Sequence, residues 1–174
     1  MVQFTNSLDS LMFQKKGKSR CINQENPRGE KGKGGMAAGS LGPGRKGSPC
    51  MEEIAPGETR VLAEMEGPGV IQHIWMTVTD RTEKDYYVLR DLVLRIYWDD
   101  EEEPSVESPL GDFFCCGFAR GCMVNSLPIV VNPSRGFNSY FQMPFRKKAR
   151  ITLENQHEAE IPAFLFTPAT ALSA

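Results

Sequence analysis

No stretch of the sequence approaches the roughly 18 consecutive apolar residues that a membrane-spanning helix needs. Residues 1–20 contain no apolar segment behind a basic start, so they do not resemble a secretory signal. Lys+Arg 20 nearly balances Asp+Glu 22, which leaves no net positive field to attract nucleic acid or an anionic membrane. These absences predict a cytoplasmic protein that binds neither membranes nor nucleic acid.

Residues that usually hold metals or cofactors are also sparse. The two histidines, His73 and His157, have no Cys or His neighbours at zinc spacing, and the calcium-loop pattern of EF-hands is absent. The five cysteines include an adjacent pair, Cys115–Cys116, but no C-x-x-C arrangement. We therefore expect no metal, no cofactor and reduced thiols, with Cys115 and Cys116 packed like small apolar side chains.

Helical periodicity is nearly missing as well. Residues 6–16 alone repeat apolar side chains at helical spacing, which predicts one short N-terminal helix. Residues 22–49 follow with eight glycines, which predict a long loop without regular structure. This loop has neither the P-loop order nor the strand–GxGxxG–helix order, so its basic residues either line an anion or sugar site or are simply solvated.

From residue 55 onwards, short alternating runs are separated by turn residues, which is typical of β-strands. With turns between the runs and no helices alternating with them, the pattern favours an all-β antiparallel sandwich in a single domain. The predicted strands cover 59–67, 70–79, 88–98, 127–131, 137–145, 148–155 and 161–167. Pro133, Pro144 and Pro162 are expected at edges or boundaries, because proline cannot donate to a strand ladder.

Two polar segments are candidate binding sites. The first places Glu25, Asn26, Glu30 and Lys31 within seven residues, a set that can bind the vicinal hydroxyls of a sugar or can merely fix the loop. The second runs from Trp98 through residues 104–114 and combines aromatic rings with carboxylates, as carbohydrate sites do. Its aromatic residues are also typical of core edges. The acidic run 99–103 within it is expected to form a solvated hairpin tip and no metal site.

Four stretches, in this order, resemble the glycoside hydrolase family 172 group, formerly domain of unknown function 2961. They are SRCINQENPRGEKGKGG (19–35), IAPGETRVLAEMEGPGVIQHIWMTV (54–78), LRIYWDDEEEPSVESPLGDFF (94–114) and FNSYFQMPFRKKARITLEN (137–155). The resemblance covers most of residues 10–157. It implies a jelly-roll β-sandwich, in agreement with the strand pattern, and hydrolysis of furanosyl sugars such as α-D-fructofuranosides, difructose dianhydrides or D-arabinofuranosides.

The resemblance also implies that the catalytic residues lie in a different jelly roll from the one that this chain resembles. Retaining glycosidases use two carboxyl groups about 5–5.5 Å apart, and this group carries them in the second of two tandem jelly rolls. The chain resembles the first jelly roll only, and residues 158–174 depart from the pattern. We therefore expect an N-terminal half that is inactive alone and works with a second half or as a homo-oligomer. A non-catalytic carbohydrate-binding or oligomer-forming module is the alternative, and a non-functional fragment is a third reading.

The resemblance also implies which residues of this N-terminal half line the sugar pocket. These implied substrate-binding residues are Glu25, Asn26, Glu30, Lys31, Trp98, Asp99, Glu107, Asp112, Phe113, Phe114 and Arg146. For Asp112 and Arg146 the alternative is a buried ion pair that locks a turn to a strand.

Overall fold

A computed structural model describes residues 17–34, 38–39, 42–43, 53–79, 88–133 and 135–172. The helix predicted over 6–16 and much of the second half of the Gly-rich loop lie outside the described residues. Within them the chain forms mainly strands and two one-turn helices, neither of which is long and apolar enough to cross a membrane.

The described residues form strands that all pair antiparallel, together with two helical turns. The strands are β1 (Lys18–Cys21), β2 (Ala38–Gly39), β3 (Gly42–Pro43), β4 (Thr59–Glu66), β5 (Gly69–Val78), β6 (Leu92–Trp98), β7 (Val106–Pro109), β8 (Val124–Asn125), β9 (Ile129–Asn132), β10 (Gly136–Ser139), β11 (Met143–Phe145), β12 (Lys148–Asn155) and β13 (Phe164–Leu172). The helical turns are α1 (Val88–Asp91) and α2 (Leu110–Phe113).

Two sheets form the body of the domain. One has the order β1-β13-β5-β10-β9-β8 with β11 beside β5, and the other has the order β4-β12-β6-β7. Eight strands make up the jelly roll and can be numbered one to eight in chain order: β1, β4, β5, β6, β7, β10, β12 and β13. In this numbering the strand orders of the two sheets are 1-8-3-6 and 2-7-4-5. This is jelly-roll connectivity, in which successive strands cross between two sheets. The predicted all-β, jelly-roll-like antiparallel sandwich is confirmed.

The core lies between the two sheets and follows the alternation that the sequence shows. Ile74 and Met76 of β5 face Leu94 and Ile96 of β6 across the sandwich, and all four are fully buried. Each such side chain stabilises the fold by about 1.5–3 kcal/mol relative to exposure. Ile71 is buried out of phase with them, because the β5–β13 register shifts between Ala169 and Thr170 and leaves an extra residue in β5.

Several predicted strands differ in detail from those observed. Residues 88–91 form the helical turn α1, because Val88 and Leu89 are both buried and a strand would turn one of them outward. The predicted strand 137–145 is split into β10 and β11, and the prediction missed β1, β7 and β8. It also missed β2 and β3, a short antiparallel pair inside the segment 22–49 that was predicted to be a loop without regular structure. The strand predicted over 148–155 is confirmed as β12.

The prolines behave as expected, with one addition. Pro133 follows β9, Pro162 precedes β13, and Pro144 lies in β11, which pairs with β5 alone. Pro168 lies within β13, a strand with neighbours on both sides. It is tolerated there because β1 ends opposite Ala169, and the Pro168 carbonyl still accepts the Ile22 N–H at 3.1 Å.

Candidate functional site

Residues 23–34, here called the polar loop, leave β1 and turn sharply. The Asn23 side-chain oxygen accepts the backbone N–H of Glu25 at 3.0 Å and that of Asn26 at 2.9 Å. This is the local hydrogen bonding by which asparagine favours turns over regular structure. Gln24 ties the loop to the sandwich, since its side-chain amide donates to the Phe164 carbonyl at 3.3 Å.

Asn26 closes the polar loop on itself. Its Oδ1 accepts the Glu30 N–H and its Nδ2 donates to the Glu30 carbonyl, both at 3.0 Å, and the residue is only 8% exposed. Gly29 lies beneath with φ +59°, and a Cβ there would come within 3.1 Å of Ile22. Asn26 therefore fixes the loop, which is the alternative that the sequence left open for it.

The charged residues of the polar loop remain at the surface around a shallow, open concavity of about 500 Å³. The residues that line it are Gln24, Glu25, Asn26, Pro27, Arg28, Glu30 and Lys33. Glu30, Arg28 and Lys33 are exposed, Glu25 is half-buried, and within the described residues none of the four forms an ion pair. Lys31 is exposed and lies off the concavity.

Asp99 has a structural role at the base of the acidic hairpin tip. Its Oδ1 accepts three backbone N–H groups, those of Arg146, Lys147 and Lys148, at 2.9, 2.6 and 3.2 Å. These bonds, that from Lys147 above all, hold the pKa of Asp99 below its usual range. Arg146 thus meets Asp99 through its backbone, and residues 100–103 are exposed, as predicted for a hairpin tip.

The aromatic residues of the second candidate segment belong to the core or its edge. Phe114 is fully buried, with its ring 5.3 Å from that of Phe137. Phe113 packs edge-on against Phe114 at 4.9 Å, and Trp98 is partly buried against the same core. A ligand at the surface has no access to Phe114.

Arg95, Glu107 and Glu154, here called the ion-pair face, lie on the outer side of the β4-β12-β6-β7 sheet. Arg95 lies opposite Glu107 in the β6–β7 register and binds both carboxylates, with N–O distances of 2.5 Å each. The hydrogen bond to Glu107, reinforced by Glu154, raises the pKa of Arg95. The guanidinium therefore lies between the two acids and pairs with both.

The ion pair expected as an alternative for Asp112 and Arg146 is not formed. Asp112 pairs with Arg90 of α1, because α1 and α2 pack side by side and carry these residues to a common edge. The Asp112–Arg90 pair is half-exposed and so joins two helical turns instead of locking a turn to a strand.

The two glutamates of the ion-pair face cannot act as a retaining acid and nucleophile in this arrangement. A retaining pair needs one carboxyl group to protonate the leaving group and the other to attack the sugar, so both must face the substrate. Here both carboxylates are bound to the Arg95 guanidinium instead. Among the described residues no cluster of three or more His, Cys, Asp or Glu side chains fits a metal ion.

Neither Arg90 nor Arg95 is recognisable from the sequence as a partner of these acids. Arg95 contacts Glu107 twelve positions away and Glu154 fifty-nine positions away. Only the strand pairing brings them together. The hydrogen bonds of Asn23 and Asn26 span two to four residues, so their short spacing within the loop is a signal that the sequence does contain.

The two sheets and their connectivity define a jelly-roll β-sandwich domain. The family profile described as GH172 domain-like matches residues 47–163, so the chain belongs to this glycoside hydrolase group. No protein with a curated description matches the chain. The ion-pair face lies inside the matched residues and the polar loop precedes them.

Proposed function

We propose that this domain binds furanosyl sugars for a glycoside hydrolase without supplying the catalytic carboxyl pair. The observation that carries the proposal is the polar loop, a fixed backbone that presents two carboxylates and two cations around an open concavity. Family membership supports the carbohydrate class of the ligand.

The chemistry of the concavity suits vicinal hydroxyls. Carboxylates of Glu25 and Glu30 accept hydrogen bonds from sugar O–H groups, while Arg28 and Lys33 donate to ring and hydroxyl oxygens. The side-chain amide of Asn26, hydrogen-bonded to the Glu30 backbone, fixes the loop before the ligand arrives, so binding does not have to order it. A shallow, polar site of this kind favours weak binding of a short oligosaccharide.

The proposal assigns bond cleavage to carboxylates from a second jelly roll or another chain. Within the described residues Glu107 and Glu154 share one partner, Arg95, which binds both carboxylates. No sugar ring fits between two carboxylates that are bridged by a guanidinium. Furanosides remain the proposed substrates on the strength of the resemblance.

A combined hydrolysis and binding experiment tests this. Aryl α-D-arabinofuranoside and aryl α-D-fructofuranoside are incubated with the chain, and a short arabinan and a short fructan are titrated by calorimetry. We expect no turnover, with millimolar binding that is lost in the double variant Glu25→Gln/Glu30→Gln.

The matched control is Glu107→Gln, which removes a carboxylate of the same type outside the concavity and should bind like wild type. Turnover by wild type that Glu107→Gln abolishes would overturn the proposal, because the acid would then lie in the ion-pair face. The absence of heat with either oligosaccharide would also refute it.

A further inference from the structure

A pair of thiols, Cys116 and Cys122, meets at the end of α2. Their sulfur atoms are 3.4 Å apart, and the Cys122 N–H also points to the Cys116 sulfur at 3.5 Å. A disulfide bond is about 2.0 Å long, so the sulfurs need to approach by roughly 1.4 Å more. The loop between them contains two glycines, Gly117 and Gly121, which ease that adjustment.

The backbone explains why Cys116 points inward. Cys115 has a left-handed backbone (φ 63°), its N–H donates to the Asp112 carbonyl, and the Cys116 N–H donates to the Gly111 carbonyl at 2.7 Å. This pair of bonds is a Schellman motif, which turns the residue after the left-handed position back onto the helix. Cys116 is buried as a result, whereas Cys115 and Cys122 are exposed.

We propose that Cys116 and Cys122 form a peroxide-sensitive dithiol site that closes into an intramolecular disulfide. Cys122 is the accessible thiol, and its thiolate attacks a peroxide oxygen. The S–O bond forms, the O–O bond breaks and hydroxide leaves as water. The Cys116 sulfur then attacks the Cys122 sulfur and displaces the second hydroxide, which takes the Cys116 proton. Two thiols are oxidised and one peroxide is reduced to two waters.

The environment of the pair supports this order of events. Burial raises the pKa of Cys116 to about 11, so at neutral pH this thiol stays protonated and does not react with peroxide first. The expectation from the sequence that Cys115 and Cys116 both pack as apolar groups holds for Cys116 alone, because the left-handed turn exposes Cys115.

Peptide mapping tests the site directly. Trypsin cleaves after Arg120, between the two cysteines, and releases peptides 96–120 and 121–135. After hydrogen peroxide, denaturation and alkylation, we expect these peptides to be joined and to separate on reduction. The number of titratable thiols should fall from five to three. The oxidised chain should melt several degrees higher, because a short loop is closed.

Serine variants show which cysteine of peptide 96–120 forms the bond, because that peptide contains both Cys115 and Cys116. The joined peptides should persist in Cys115→Ser and disappear in Cys116→Ser and in Cys122→Ser. Circular dichroism melts of the reduced variants verify that each is folded. A bond that survives in Cys116→Ser, an intermolecular disulfide, or five thiols that remain after peroxide would each overturn the proposal.

Discussion

The ion-pair face and the polar loop carry the same kinds of charged side chain, and they use them in opposite ways. In the ion-pair face Arg95 bridges Glu107 and Glu154, which joins β6, β7 and β12. In the polar loop, hydrogen bonds between asparagine side chains and the backbone stabilise the loop, so the charged side chains remain at the surface. A carboxylate is therefore available to bind a ligand where other groups stabilise the local structure. Where the carboxylate itself forms the stabilising ion pair, its role is structural.

The largest expected effect concerns two aromatic residues that follow α2 in the chain, one buried and one exposed. Phe114→Ala removes a fully buried ring and should lower the free energy of unfolding by about 3–5 kcal/mol. Phe118→Ala changes a side chain that is 95% exposed and should alter stability by no more than about 0.5 kcal/mol. Urea denaturation of both variants checks this. A Phe114→Ala variant as stable as wild type would mean that the ring is free at the surface.

The next effect breaks the ion-pair face. Arg95→Met leaves two neighbouring carboxylates without their shared cation, and should destabilise the fold by about 1–2 kcal/mol at pH 7. Glu107→Gln in the same background should restore part of the stability, because it removes one of the two repelling carboxylates. An Arg95→Met variant with an unchanged urea midpoint would contradict this account.

A smaller effect on stability, with a larger effect on binding, is expected in the polar loop. Asn26→Ala removes both hydrogen bonds to Glu30 and should cost about 1 kcal/mol, since the loop contributes little to the core. Affinity for a short arabinan should fall several-fold, because the ligand then has to order the loop. Calorimetry and thermal melts on one sample separate the two effects. Full affinity in Asn26→Ala would show that the fixed backbone is irrelevant to binding.

The smallest effect is a pH dependence at Asp99. Its lowered pKa means that the carboxylate stabilises the fold above about pH 4, the usual value for aspartate, and that this contribution disappears as the pH falls through the lowered pKa. Asp99→Asn should therefore melt below wild type at pH 7, and the difference should narrow progressively as the pH is lowered below about 4. Asp100→Asn, next to it in the exposed tip, is the control and should show no such difference.

The fold could be predicted from the sequence because the apolar alternation and the turn residues are local signals. The helical turn at 88–91 could not be predicted. Val88 and Leu89 are both buried, and a short apolar run of this kind is compatible with either a strand or a helical turn. In the site, the loop residues lie close together in sequence, and their clustering was visible. The roles of Asp99 and Glu107 depend on Lys147, Lys148 and Arg95, which only the strand pairing brings to them.

The most direct test of the division between the two regions is a ¹H–¹⁵N NMR titration of the chain with a short arabinan. If the polar loop binds the sugar, amide shifts of residues 24–26 and 28–33 change progressively with ligand while those of Arg95, Glu107 and Glu154 do not. Shifts confined to the ion-pair face, with residues 24–26 and 28–33 unmoved at saturation, would contradict it.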